Sequence, residues 1–383
     1  MSRTHFRAGV MDLGLHTRIV PDLSFRIHRA LAAAGGAESL WAVDHLIGVA
    51  PSSIWNTAHA GVARLIPRID AHYEPWTSLG YLAARNRHPR LRLGVGVTDA
   101  GRRNPAVTAQ AAATLHLLTG GRAILGMGPG ERGNNTPYGV NWDTPVARFE
   151  EALATIRLLW DSAGAPVSRE SAFYPLREAV FDVPPCRGTR PEIWIAAHGP
   201  RMLRAAGKYA DAWFPAFGDQ PSEYAARLER IRTAASDAGR DPMAIIPAGL
   251  FPMLCGRTRA DVEELVESVP VKALALLAPA DVWARHGVEH PLGPTFAGLQ
   301  DILPQTLDEA TVLSYAEKTP AALVREYYLT GTPTEILERM AEWRDHGVRY
   351  AIALNGGPFR KDLTAGMLSN LPFVRILRRL RKL

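Results

Sequence analysis

Residues Leu93–Asn135, LGVGVTDAGRRNPAVTAQAAATLHLLTGGRAILGMGPGERGNN, decide the fold. Leu91, Leu93, Val95 and Val97 alternate with Arg92, Gly94 and Gly96, the period-2 pattern of a strand, and the glycines leave room for another backbone or a ligand. Thr98 falls at that strand's C-terminal end. After Arg102-Arg103-Asn104, Pro105 stands where it can open an alanine- and leucine-rich helix running to Leu118. Gly120-Gly121 ends the helix, and Arg122–Met127 is a short apolar run of the kind a parallel strand covered on both faces requires. Gly128-Pro129-Gly130-Glu131 follows. It reads either as a simple turn or as bare backbone on which a flat ligand lies, with Glu131 and Asn134 at the ligand's edge.

The same alternation extends in both directions. Strand-like runs are Phe6–Met11, Ser39–Val43, Arg92–Val97, Ala123–Met127, Ile193–Ala197, Ala212–Phe214, Ile245–Leu250 and Tyr350–Leu354. Helical patterns cover Ser24–Ala34, Pro105–Leu118, Val146–Trp160, Pro200–Tyr209, Pro221–Ala238, Ala260–Val269 and Thr334–His346. So many strand–helix units predict a closed (β/α)8 barrel rather than an open doubly wound sheet, and no Rossmann-type fingerprint opens the chain. A bare barrel needs about 250 residues, so a chain of 383 forming one barrel domain should carry insertions. The irregular, proline-rich stretches Pro51–Ala71, Ser162–Pro191 and Lys272–Pro320 are the candidates, expected to build the substrate side.

Composition narrows the function. The chain is 47% hydrophobic with no unbroken apolar span of bilayer length, and Met1–Phe6 lacks the apolar core of a secretory signal. Cys186 and Cys255 are too few for a disulfide framework or a thiolate metal site, and no His/Asp/Glu cluster has ligand spacing, so a metal-free protein of a reducing cytoplasm is expected. The net charge of +6 is a local property. Seven of the 44 Lys and Arg but one of the 38 Asp and Glu lie from Arg360 onward, leaving the rest of the chain neutral and a nucleic-acid partner unsupported. In Leu371–Leu383, Phe373, Ile376, Leu377, Leu380 and Leu383 recur at helical spacing opposite Arg375, Arg378, Arg379, Arg381 and Lys382. Such a basic amphipathic helix either docks on the domain with a solvated basic edge or lies at a membrane surface or a lipid substrate, a peripheral contact at the inner membrane face.

In a barrel the residues just past each strand share one rim, where the chemistry of this architecture sits. Asp44 and His45 follow the second strand, Thr98 the third, Glu131 and Asn134 the fourth, and His198-Gly199-Pro200 the fifth. Histidine changes charge near neutral pH, which suits His45 to protonate an oxygen forming from a carbonyl. Pro200 in a first helical turn leaves the amides of Gly199, Arg201 and Met202 as orphan donors, which are either ordinarily capped or a seat for phosphate.

These residues carry a resemblance. LWAVDHL, NPAVTAQAAATL, RAILGMGPGERGN and IWIAAHGPRMLRAAGKYADAW together resemble the luciferase-like barrel superfamily, and within it the branch that uses the deazaflavin coenzyme F420. The likeness covers Phe6 to Trp213 and again Gly331 to Gly357. It implies that Asp44 contacts the deazaflavin, that His45 stands beside the hydride-carrying carbon, and that Thr98, Glu131 and Asn134 hold the ring, with Gly130 beside them. Glu131 is by the same likeness a candidate proton relay. A non-proline cis peptide behind the ring is implied at Val95–Gly96, and a phosphate seat at Ala197-His198-Gly199-Pro200-Arg201. Superfamily members often pair through barrel helices, which implies a homodimer.

Where F420-dependent sugar-phosphate dehydrogenases of this branch grip their substrate, this chain has Phe214-Pro215-Ala216-Phe217-Gly218, an apolar replacement. Glu150–Trp160 and Glu131–Val140 are similar to phthiodiolone ketoreductases of phthiocerol dimycocerosate and glycolipid synthesis. The implied reaction is hydride transfer from reduced F420 to the keto group of a long-chain lipid, with His45 as proton donor. An F420-dependent alcohol dehydrogenase, an FMN-dependent luciferase-like monooxygenase, and a barrel that binds cofactor or lipid without catalysis are the alternatives.

Overall fold

The computed structural model describes residues 6–86, 88–216 and 220–383, so Phe217 and Gly218 of the apolar replacement lie outside the described residues. Eight strands close a parallel barrel: β1 (Arg7–Asp12), β2 (Ser39–Ala42), β3 (Arg92–Asp99), β4 (Ala123–Gly128), β5 (Glu192–Ile195), β6 (Ala212–Trp213), β7 (Ile246–Cys255) and β8 (Tyr350–Asn355). Each of the eight sequence runs forms one of them. Closure comes from β8 pairing with β1, Arg7 opposite Tyr350, and from β6 pairing with β7, Ala212 opposite Ile246. One helix follows each strand on the outside: α1 (Leu23–Gly35), α2 (Pro75–Arg85), α3 (Pro105–Leu118), α4 (Pro145–Asp161), α5 (Pro200–Tyr209), α6 (Pro221–Asp237), α7 (Pro333–Asp345) and α8 (Asn370–Leu380). Of these, α2 has no counterpart in the sequence reading.

The barrel interior is filled, not hollow. Met11, Trp41, Ile124, Trp194, Phe214, Tyr350 and Ile352 pack inside it. Trp194 lies 4.9 Å from Trp41 and 5.0 Å from Tyr350 between ring centroids. Gly94 on β3 is what admits Trp41: a Cβ there would stand 2.5 Å from the indole. The opposite strand faces, Val95, Leu125 and Ile195 among them, pack against the helices, which is why the strands read as near-continuous apolar runs.

Three segments depart from the bare barrel. Residues 51–71 form two short 3-10 turns, Ser52–Ile54 and Gly61–Arg64, and residues 162–191 carry an antiparallel hairpin, Val167–Arg169 with Leu176–Ala179. The third stretches from Arg259 to Gly331, with helices Arg259–Glu267, Val269–Leu274, Ala280–Arg285, Glu309–Lys318 and Ala321–Tyr327 and a ninth strand, Leu329–Gly331, paired with the overhanging end of β7. It has its own core of Leu265, Val266, Val271, Leu276, Trp283, Leu323 and Val324. Ile54 of the first segment packs on Ala273 and Val312 of the third, so the two meet above the barrel mouth.

The C-terminal helix docks. Phe373, Ile376, Leu377 and Leu380 are all fully buried, against α1 and α7, and a Cβ at Gly35 would stand 2.6 Å from Leu377. Arg375, Arg378, Arg379, Arg381 and Lys382 remain on the outer edge. Among the described residues no helix is long and apolar enough to cross a membrane.

Candidate active site

A cleft enclosing about 1670 Å³ of atom-free space, its open mouth included, lies over the C-terminal ends of the strands. Its polar end draws on the loops after β2 and β4. His45 Nε2 stands 3.3 Å from Glu131 Oε1, with the two side chains 16% and 19% exposed. Asn134 ties these loops together: its Nδ2 donates to Glu131 Oε2 at 3.1 Å, and its Oδ1 accepts from the backbone N–H of Leu46 at 2.7 Å and of Ile47 at 3.1 Å. Burial pulls His45 down, but the Glu131 charge and hydrogen bond outweigh it, so the imidazole holds its proton above the ordinary histidine range. Glu131 moves the opposite way. Burial raises it, and His45, Arg102 and Asn134 bring it below the usual carboxylate range.

Asp44 is 2% exposed and its carboxylate is already engaged. It accepts from Thr98 Oγ1 at 2.6 Å and Arg103 Nε at 3.0 Å, and Arg102 Nη1 lies 3.3 Å away. Burial disfavours its charge, and these two arginines more than restore it. Arg102 also donates through Nε to Asp99 at 2.6 Å. The Arg102-Arg103 turn is therefore the brace under the β2 and β3 rim. Sequence reading treated it as a connection, because its partner Asp44 lies far away in the chain.

Two more histidines border the cleft. His198 is pushed down to about 4 by burial and then by Arg227, whose Nη1 lies 3.5 Å from His198 Nδ1. His72, which the sequence reading missed, donates from Nδ1 to the Leu13 carbonyl at 2.7 Å and is likewise lowered to about 4 by burial and then by the charge of His45. Its only sequence signal was a histidine at the end of the first insertion. Of three imidazoles, His45 alone is built to carry a proton near neutrality.

Not every sequence candidate lines the cleft. Asp44, His45, Gly96, Gly130, Glu131, His198 and Gly199 do. Thr98 and Asn134 stand behind as supports. Val95, Ala197, Pro200 and Arg201 are not among the lining residues: Val95 and Ala197 pack in the outer core, and Arg201 pairs with Glu150 through Nε at 3.0 Å. The cis peptide also needs correction, since it joins Gly96 to Val97, not Val95 to Gly96. In the β3–β4 ladder Val95 opposes Leu125 and Thr98 opposes Met127, so three residues of β3 run against two of β4 and the irregularity falls on Gly96 and Val97.

The site can seat a flat ring. Gly96, Gly128, Pro129 and Gly130 present backbone and small side chains along one wall, and Gly130 sits at φ +91°, a conformation that favours glycine. The remaining wall is apolar: Val49, Ile69, Leu250, Leu254, Val271, Leu274, Leu277, Leu299, Tyr328 and Phe359 surround the far end. Among the described residues no group of three or more His, Cys, Asp or Glu is arranged to hold a metal.

Comparison with known proteins bears on the family and the fold. The chain is 58% identical over 378 residues to a phthiodiolone/phenolphthiodiolone dimycocerosates ketoreductase of Mycobacterium tuberculosis, covering 98% of this chain and 99% of the relative. It is 26% identical over 287 residues to a 5,10-methylenetetrahydromethanopterin reductase of Archaeoglobus fulgidus, covering 75% of this chain and 82% of that one. Its fold matches an F420-dependent secondary alcohol dehydrogenase solved with an F420–acetone adduct, with a TM-score of 0.73, 19% identity and coverage of 98% and 99%. The family model for luciferase-like monooxygenases matches residues 28–350. By that match and by its full-length likeness to the ketoreductases, the chain, a closed parallel barrel, belongs to the luciferase-like monooxygenase family.

Proposed function

We propose that this protein is an F420-dependent ketoreductase acting on the keto group of a long-chain lipid of the phthiodiolone type. The observation that carries the reading is the His45–Glu131 couple at the polar end of an otherwise apolar cleft. Reduced F420, a two-electron deazaflavin, supplies the hydride when bound. His45 holds a proton for the carbonyl oxygen, and Glu131 keeps that proton in place until it is needed. Asp44, locked by Arg102, Arg103 and Thr98, fixes the backbone that aims His45. Gly96, Gly128, Gly130 and the β5 rim residues His198 and Gly199 would hold the coenzyme, with the first amides of α5 toward its phosphate. Val271, Leu274, Leu277 and Phe359 would cover an acyl chain and keep water from the reacting carbon. The test is oxidation of reduced F420 by the purified protein on addition of a long-chain ketone, followed by the return of deazaflavin absorbance. Co-purification with FMN and turnover that needs oxygen would instead favour a monooxygenase.

Val107 and Leu118, 57% and 69% exposed on one face of α3, support a homodimer paired through the barrel helices. The apolar face of α8 is occupied within the domain, so peripheral contact with an anionic membrane would rest on its basic edge alone. Cys186 and Cys255 are buried and free, which supports a reducing cytoplasm.

A further inference from the structure

His72 borders the cleft beside Leu13, Gly48 and Ile69, edge-on to His45 with 5.6 Å between ring centroids. Its Nδ1 lies 2.7 Å from the carbonyl oxygen of Leu13. A carbonyl only accepts, so Nδ1 carries the proton and Nε2 keeps its lone pair. That Nε2 is buried and has no hydrogen-bond partner among the described residues. The ring also stays neutral where His45 is charged, because burial and the neighbouring imidazolium both oppose a second proton. Glu131 touches His45 and not His72, which decides which of the two takes the charge. Gly48 lies next to that atom: a Cβ there would stand in van der Waals contact with His72 Nε2 at 3.5 Å, and 3.2 Å from Asp70 Oδ1 and the Ile69 carbonyl oxygen.

A buried acceptor of fixed tautomer discriminates between ligands. An O–H satisfies it, whereas a carbonyl oxygen meets it lone pair against lone pair. Reduction of a ketone converts one into the other at the atom that His45 protonates.

We propose that His72 Nε2 accepts the hydrogen bond of the secondary alcohol formed in the cleft, so that the site holds the alcohol more tightly than the parent ketone. The inference rests on the ketone-reduction reading, but its test needs no turnover. Calorimetric titration of the F420-loaded protein with 2-dodecanol and 2-dodecanone should give about tenfold tighter binding of the alcohol, the range of one buried hydrogen bond. His72→Phe should erase the preference by weakening the alcohol about tenfold, with the ketone changing less than about threefold. His72→Gln, which keeps an acceptor, should restore part of it. Gly48→Ala, which puts a methyl group against Nε2, should act like His72→Phe and serves if that variant does not fold. Equal affinities in the wild type, or variants that shift both ligands alike, would overturn the assignment. A binding preference without F420-linked turnover would leave His72 in its role and remove the ketoreductase reading. Turnover without the preference would do the reverse, and failure of both ligands to bind would remove both.

Discussion

Replacing Glu131 with glutamine removes the charge beside His45 while keeping its shape. Across 3.3 Å, an effective dielectric of about 20 gives a gross attraction of roughly 5 kcal/mol between carboxylate and imidazolium. With both side chains mostly buried, salt screens little of it. If only about a quarter is realised, roughly 1.4 kcal/mol, the protonation equilibrium of His45 changes about tenfold. The direction follows from the opposing influences. Burial and Arg102 lower His45; Glu131 and, more weakly, Asp44 raise it, and the balance is upward. Without the Glu131 charge the balance turns downward. A step that needs protonated His45 therefore survives above the ordinary histidine value in the wild type and fades as pH rises through the raised value. In Glu131→Gln the same fading should come on the acid side of that ordinary value. Turnover of a long-chain ketone with reduced F420, followed from about pH 5.5 to 8.5, should be at least about tenfold lower than wild type near pH 7.5 and recover toward pH 5.5. A falling limb at the same pH in both proteins would refute the coupling on which the proton-donor role depends.

Removing the imidazole itself in His45→Phe should cost about 10²- to 10⁴-fold in kcat, the usual span of general acid catalysis, with coenzyme affinity measured by fluorescence titration little changed. Asn134→Ala leaves the Leu46 and Ile47 amides without their acceptor, so denaturant unfolding should show a loss of about 1–3 kcal/mol alongside reduced kcat. His198 is neutral and lowered to about 4 in the folded state, whereas an unfolded histidine takes up its proton near pH 6.5. Between those values the unfolded chain binds more protons, so stability falls as pH drops, by up to roughly 3 kcal/mol at this group; thermal unfolding of His198→Gln should show a shallower acid slope. Val107→Glu with Leu118→Glu should turn a dimer into a monomer in sedimentation velocity while leaving the fold's circular dichroism intact.

The barrel was legible because its strands are buried on both faces and its helices carry one apolar stripe, signals that stay local to a few residues. Pro105–Leu118 and Pro200–Tyr209 match their helices end to end, since a proline at the first turn marks the start of each. The helix α2 was missed: Trp76, Gly80 and Tyr81 blur its pattern, and its start is set by Glu74, whose side chain accepts from the Trp76 and Thr77 amides. The short strand Leu329–Gly331 exists only because β7 overhangs the barrel. At the site, Asp44, His45 and Glu131 could be found from their place after strands. The brace formed by Arg102 and Arg103, and the acceptor on His72, depend on contacts with residues remote in the chain, for which no local pattern exists. Val95 shows the opposite limit. The resemblance implied a cis peptide at Val95–Gly96, but the bond in question joins Gly96 to Val97, where β3 carries an extra residue against β4.

The unit from Arg259 to Gly331 packs around its own apolar centre and hangs from the end of β7, while His45, Glu131 and Asp44 all belong to the barrel's own loops. On the proposed reading the acyl chain lies partly against this unit, at Val271, Leu274 and Leu277, while the proton donor belongs to the barrel. A chimera that grafts the corresponding segment of a relative onto this barrel should trade one hydrophobic guest for another while hydride transfer to a small ketone proceeds at its original rate.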